Sequence, residues 1–208
     1  MTDFHKQQAD RFMLWVDAVG GFLVCLADEV VLGQPVHCGS VDIPILGDIS
    51  SRHACIRRDG EGYLLEATRD VQVDGRPVSR AALLQDGSRI TLGKAVRLQF
   101  RRPHALSATV RIDFASRHRT EPSADAVLLM ADACILGPDP RSHVVCRDWP
   151  HEVILYRQGD EIYCRTRGMP PGGTFEIDGV ACQGKGRITR NSHVEGKGFS
   201  LNLEQLGP

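Results

Sequence analysis

The sequence predicts an all-β fold, two antiparallel β-sandwiches in tandem, and three observations predict it. Its apolar runs are short and carry the period of strands rather than of helices. Turn signals of one chemistry recur between them, at Asp59-Gly60-Glu61-Gly62, Asp74-Gly75 and Asp86-Gly87, where glycine supplies the positive φ that tight turns require. The second half then repeats the first. Val127 to Gly137 aligns with Leu23 to Gly33, His151-Glu152-Val153-Ile154 with His53-Ala54-Cys55-Ile56, and Phe175 to Gly179 with Val71 to Gly75. Gly33 and Asp74 are 41 positions apart (74 − 33), as are Gly137 and Asp178 (178 − 137), with compensating length changes in the loops between them.

Taken in order, Phe12–Asp17 reads as a first strand, Gly20-Gly21 as a turn and Phe22–Leu26 as a second strand. Ala27-Asp28-Glu29 is a polar break before Val30–Leu32. Val41–Leu46 alternates as a half-buried strand does. Ala54–Ile56 and Tyr63–Leu65 flank a hairpin turn; Val71–Val73, Ile90–Leu92 and Val96–Phe100 complete the first unit. Only Arg80–Leu84 and Phe4–Arg11 have a helical look. Thr109–Phe114 reads as the first strand of a second unit. The units are expected at 1–102 and 103–208, with the linker near 103–108, each close to the modal size of a domain.

Composition narrows the function. The 208 residues carry 42% hydrophobic and 25% charged side chains, with a formal net charge of −1. That is an ordinary soluble composition, and it supplies no global field toward nucleic acid or an anionic membrane. The basic groups Arg57-Arg58 and Arg111, Arg117, His118, Arg119 have no aromatics interleaved to stack bases, so no nucleic-acid partner is expected. No apolar run reaches membrane-spanning length and the first residues are not leader-like, so a cytoplasmic location is expected. The seven Cys fit reduced, structural thiols better than disulfides. His37-Cys38 and His143 with Cys146 lack a second metal-ligating pair at useful spacing, so no metal and no cofactor are expected. No phosphate-binding glycine loop, nucleophile elbow or His-Glu-x-x-His is present, and the chain is expected not to be an enzyme.

Three stretches carry a resemblance: Ile49-Ser50-Ser51-Arg52-His53-Ala54, Val71-Gln72-Val73-Asp74-Gly75, and Asp86-Gly87-Ser88-Arg89-Ile90-Thr91-Leu92-Gly93. Together they resemble the forkhead-associated (FHA) domain, a β-sandwich that typically recognises phosphothreonine peptides. The resemblance implies a phosphate site on loops at one end of the sandwich. There a Gly-Arg arginine and a serine hydroxyl reach the phosphate, and a loop asparagine holds the peptide backbone. It also implies structural roles for Gly33, His53, Asp74 and Gly75, the histidine bracing the loops.

This sequence departs from that pattern. Gln34 follows Gly33 where the family has arginine. Ser50 keeps the hydroxyl, Ser51 stands at the second arginine position with Arg52 beside it, and Arg69 falls near the asparagine position. The candidate cradle is therefore Ser50 and Ser51 with Arg52 and Arg69, Gln34 alongside; its rival is a retained fold with ordinary loop residues. In the second unit Asp148-Trp149-Pro150-His151 replaces the Ser-Arg-x-His run. Asp148 at the serine position would repel phosphate, and Trp149 is either an interface anchor or a packing residue. The expected function is a signalling or scaffold module for a protein partner, Thr-phosphorylated and linked to a Ser/Thr kinase. The alternative is a phosphate-independent structural or dimerisation module. Ligand motif, oligomeric state and the pose of the two units stay open.

Overall fold

A computed structural model describes residues 11–36, 41–60, 62–104 and 106–206. The first half of the sequence contains β1 (Arg11–Val16), β2 (Gly20–Cys25), β3 (Glu29–Gly33), β4 (Ile43–Pro44), β5 (Ala54–Asp59), β6 (Gly62–Ala67), β7 (Val71–Val73), β8 (Arg76–Pro77), β9 (Ala81–Leu84), β10 (Arg89–Leu92) and β11 (Val96–Arg101). The second contains β12 (Val110–Phe114), β13 (Ala126–Leu129), β14 (Ala133–Gly137), β15 (Val144–Val145), β16 (Glu152–Gln158), β17 (Glu161–Arg167), β18 (Thr174–Ile177), β19 (Val180–Gln183), β20 (Lys185–Ile188), β21 (His193–Gly196) and β22 (Phe199–Gln205). The described residues form no helix, so the fold is all-β, as the turn spacing predicts.

Two small sheets have one order, β4-β3-β5-β6-β9 and β15-β14-β16-β17-β20. The third sheet runs β19-β18-β21-β22-β1-β2-β13-β12-β11-β10-β7-β8, and this order reads equivalently from either end. At its centre β2 and β13 pair in parallel, Leu23 beside Val127 and Cys25 beside Leu129.

The hairpins have changed places. β1 pairs with β22, the last strand of the other unit, and β11 pairs with β12, the first. The cores follow. Phe12, Leu14, Val16, Phe22, Val24 and Leu26 pack among Leu136, Leu155, Phe175 and Leu201. Val110, Ile112, Val127 and Leu129 pack among Leu32, Ile56, Ile90 and Phe100. Because successive side chains of a strand point to opposite faces, the central strands feed both cores. Met13, Leu23 and Cys25 go to the core opposite the one that takes Phe12, Phe22 and Val24. The two sandwiches therefore lie on opposite faces of one shared sheet.

Turn geometry repeats bond for bond. Asp74 and Asp178 have φ of 51° and 53°, with Gly75 and Gly179 at 76° and 77°. The Asp74 carboxylate accepts from the Arg89 amide at 2.9 Å and the Ser88 hydroxyl at 3.3 Å; that of Asp178 accepts from the His193 amide and the Ser192 hydroxyl, both at 2.8 Å.

Three expectations need correction. Arg80–Leu84 is not helical: β9 is an edge strand on β6, Tyr63 opposite Leu84 and Glu66 opposite Ala81. Ala-Ala-Leu-Leu favours helix locally, but burying Leu84 against the sheet outweighs propensity. Within Val41–Leu46 only Ile43-Pro44 forms a strand, parallel to β3, since proline removes a ladder donor. His151 does not occupy the place of His53: Leu32 faces Ala54 while Leu136 faces Val153, so Glu152 stands in the His53 slot. The helical expectation for Phe4–Arg11 falls almost wholly outside the described residues.

Candidate functional site

Four loops meet at one tip of the first sandwich. The turn after β3 is tied to the loop before β5 by the Gln34 amide, which donates to the Ser50 carbonyl at 3.1 Å. The loop after β6 is tied to the same segment: the Thr68 and Arg69 amides both donate to the His53 carbonyl, at 3.1 and 3.0 Å. The turn after β10 joins through the Gly93 amide and the Asp70 carbonyl at 2.9 Å.

His53 is the brace. It is buried, at 4% exposure. Its Nδ1 accepts the Ser50 amide at 3.2 Å, so Nε2 carries the hydrogen and donates to the Asp70 carbonyl at 2.8 Å. Gly33 sits under the same loop, where a Cβ would overlap the Ser51 carbonyl oxygen. Glycine is needed there for space, and its φ is ordinary. These constraints present Gln34, Ser51, Arg52 and Arg69 exposed and Ser50 half-buried. The tip thus gathers hydroxyl, amide and guanidinium donors on a rigid scaffold, a set suited to an anionic group on an extended peptide. All five candidate residues from the sequence lie on these joined loops. Asp74 and Gly75 lie away from them, in the turn after β7, and serve the fold.

The second unit builds no such tip. Trp149 is a packing residue, 7% exposed, against Phe199 at 5.4 Å between ring centroids. His151 packs edge-on to the same ring at 5.3 Å. Glu152 lies over Gly137 and pairs with Arg167 at 3.6 Å.

His143 has a structural duty that sequence did not announce. Its Nδ1 accepts the Ile135 amide at 2.9 Å, as the Asp42 carboxylate accepts the Val31 amide at 2.8 Å in the first unit. Burial, and secondarily the neighbouring His104, pull its pKa down to about 4. Among the described residues no group of three or more His, Cys, Asp or Glu could hold a metal ion; His37 and Cys38 lie outside them. Burial pushes the thiols of Cys55, Cys134, Cys146 and Cys164 up to about 12, which suppresses the thiolate a nucleophile needs. A concavity of about 1080 Å³ lies between the units, lined in part by Arg101, Arg111, Asp113 and Trp149. Its charges are largely matched internally, with Asp113 2.6 Å from Arg111 and 3.5 Å from Arg101.

Residues 30–93 match the family model of the FHA domain. Among solved structures, the chain is similar to the FHA domain of Rv0020c, with 28% identity over 40% of this chain and 84% of that one, at a TM-score of 0.29. It is also similar to an FHA domain solved for phosphothreonine-dependent FHA interactions, with 29% identity over 40% and 88% and a TM-score of 0.29. A third is the FhaA FHA domain complexed with the intracellular domain of Rv3910, with 30% identity over 39% and 91% and a TM-score of 0.28. No curated protein matches the chain.

Proposed function

The chain belongs to the FHA family through residues 30–93, and from that premise we propose that its first unit binds a protein partner at a phosphorylated threonine. FHA domains are interaction modules, and the role read here is recognition without catalysis. The Ser50 and Ser51 hydroxyls and the Arg52 and Arg69 guanidiniums take the phosphate, and Gln34 takes over a polar contact where the usual arginine is missing. The partner is the substrate of a Ser/Thr kinase, met in the cytoplasm. The second unit, with Glu152 where the first has His53, serves as scaffold.

One observation carries this proposal. The His53 brace, with Gln34 to Ser50 and Arg69 to His53 amide bonds, holds three donor-bearing loops at a single tip. Fixed donors give charge-assisted bonds to a dianion without an ordering cost at binding. The test is capture from paired phosphothreonine and unphosphorylated peptide libraries, repeated with Ser50→Ala, Arg52→Ala and Arg69→Ala. The expected outcome is phosphate-dependent capture, weakened roughly tenfold or more by at least one arginine change, in line with a lost charged hydrogen bond. Equal capture of both libraries would assign the tip a phosphate-independent role.

A further inference from the structure

The two outer faces of the shared sheet differ in charge at equivalent places, one richer in arginine and the other in glutamate. Strand register fixes the equivalences: Arg89 lies opposite Gln99 as His193 lies opposite Asn202. Inward positions keep their apolar character between copies, Ile90 and Val194, Leu98 and Leu201, Phe100 and Leu203. The outward positions do not. Where the first unit shows Arg89, Thr91, Arg97 and Arg101, the second shows His193, Glu195, Ser200 and Glu204. Gln72 is matched by Glu176, which stands directly across from Glu195. Like charges directly opposite one another on a sheet are unfavourable, so Glu176 and Glu195 favour a cation, and the His193 ring already lies 3.3 Å from Glu195.

That acidic face also holds an aromatic platform. Trp15 is 39% exposed and points away from Leu14 and Val16. Its ring lies over Gly21, where any Cβ would overlap it, and its Nε1 donates to Glu204 at 2.7 Å. The indole is thus pinned flat on the sheet beside carboxylates. A flat indole with an adjacent carboxylate suits a guanidinium, which stacks on the ring and pairs with the acid together. The arginine face is the matching surface: Arg89 and Arg97 are exposed, and Arg101, also exposed, stands 3.5 Å from Asp113. Within one chain the two faces look away from opposite sides of the sheet, so they cannot meet.

We infer that the chain self-associates head to tail, the Arg89–Arg97–Arg101 face of one copy docking on the Trp15–Glu195–Glu204 face of the next. Such a contact is heterologous, and it propagates unless the rotation between copies closes a ring. Phosphopeptide binding is not required, so the two proposals stand or fall separately.

Sedimentation and light scattering against concentration and salt test the full-length chain. Mass should rise with concentration at low ionic strength and fall as salt screens the faces. Arg89→Glu with Arg97→Glu, and separately Glu195→Arg with Glu204→Arg, should each raise the concentration for half-assembly by at least about tenfold, since like charges then oppose. An equimolar mixture of the two variants should assemble again, which also shows that both are folded. A wild-type chain that stays monomeric at low salt overturns the inference, as does assembly indifferent to both reversals. An acidic face that binds an arginine-rich peptide on a monomeric chain overturns it too, by assigning a different partner.

Discussion

His53 and His143 show how far a residue's type falls short of fixing its work. Both sit deep in the protein and both accept a backbone amide through Nδ1. His53 uses its second nitrogen to join the loop after β6 to its own. His143 stands in for a carboxylate, doing in the second unit what Asp42 does in the first. Its depressed pKa gives a signed expectation. Unfolded, the ring titrates near its ordinary value of about 6.5; folded, it stays neutral down to about 4. Between those values the unfolded chain binds a proton that the folded chain refuses, so acid lowers stability through that window. Urea denaturation against pH should show wild type losing up to about 1.4 kcal/mol per pH unit there relative to His143→Gln. Parallel pH profiles for the two proteins would place the acid response elsewhere.

Among the elements, the two hairpins decide the most. β1 and β2 come first in the chain but complete the second sandwich. β12 and β13 follow the first unit and complete it. Their inner strands β2 and β13 are buried on both faces, as Phe22, Leu23, Val24 and Cys25 show at 2% exposure or less. Leu14 is fully buried within the second unit's core. Leu14→Ala should therefore destabilise by about 2–5 kcal/mol. Its first sign should be faster thiol labelling of Cys164, which shares that core, than of Cys25, which does not. Labelling that accelerates at Cys25 alone would return the hairpin to the first unit.

At the scale of the whole molecule, the exchanged hairpins make the two sandwiches interdependent. Fragments 1–102 and 103–208 would each carry the hairpin that the other needs. The expected outcome is that neither alone gives a monomer with a cooperative melt. Mixed at equal amounts they should rebuild a 1:1 species melting near the intact chain, as calorimetry and light scattering would show. Two fragments that each melt cooperatively as monomers would make the exchange dispensable.

Much of this was legible in the residues. Alternation along β7, β10 and β11 states which side chains face inward. Asp74-Gly75 and Asp178-Gly179 state their turns, because few residues besides glycine accept positive φ without strain. The Ser50–His53 run marks the tip, since the bracing histidine and the donors lie within one short segment. What the sequence could not carry is ownership. A strand apolar on both faces, such as β2 or β13, has no alternation to say which core it serves, so β1–β2 and β12–β13 read as ordinary first strands of their own units. The one-residue shift that puts Glu152 in the His53 slot was hidden for a related reason: two histidines before apolar runs look alike until the partner strand sets the register. β9 reads as helix because its residues favour helix, and only the free edge of β6 makes it a strand. Local chemistry determined the strands, the turns and the donor set; the pairing of distant backbone edges, which no local pattern encodes, decided which half each hairpin completes.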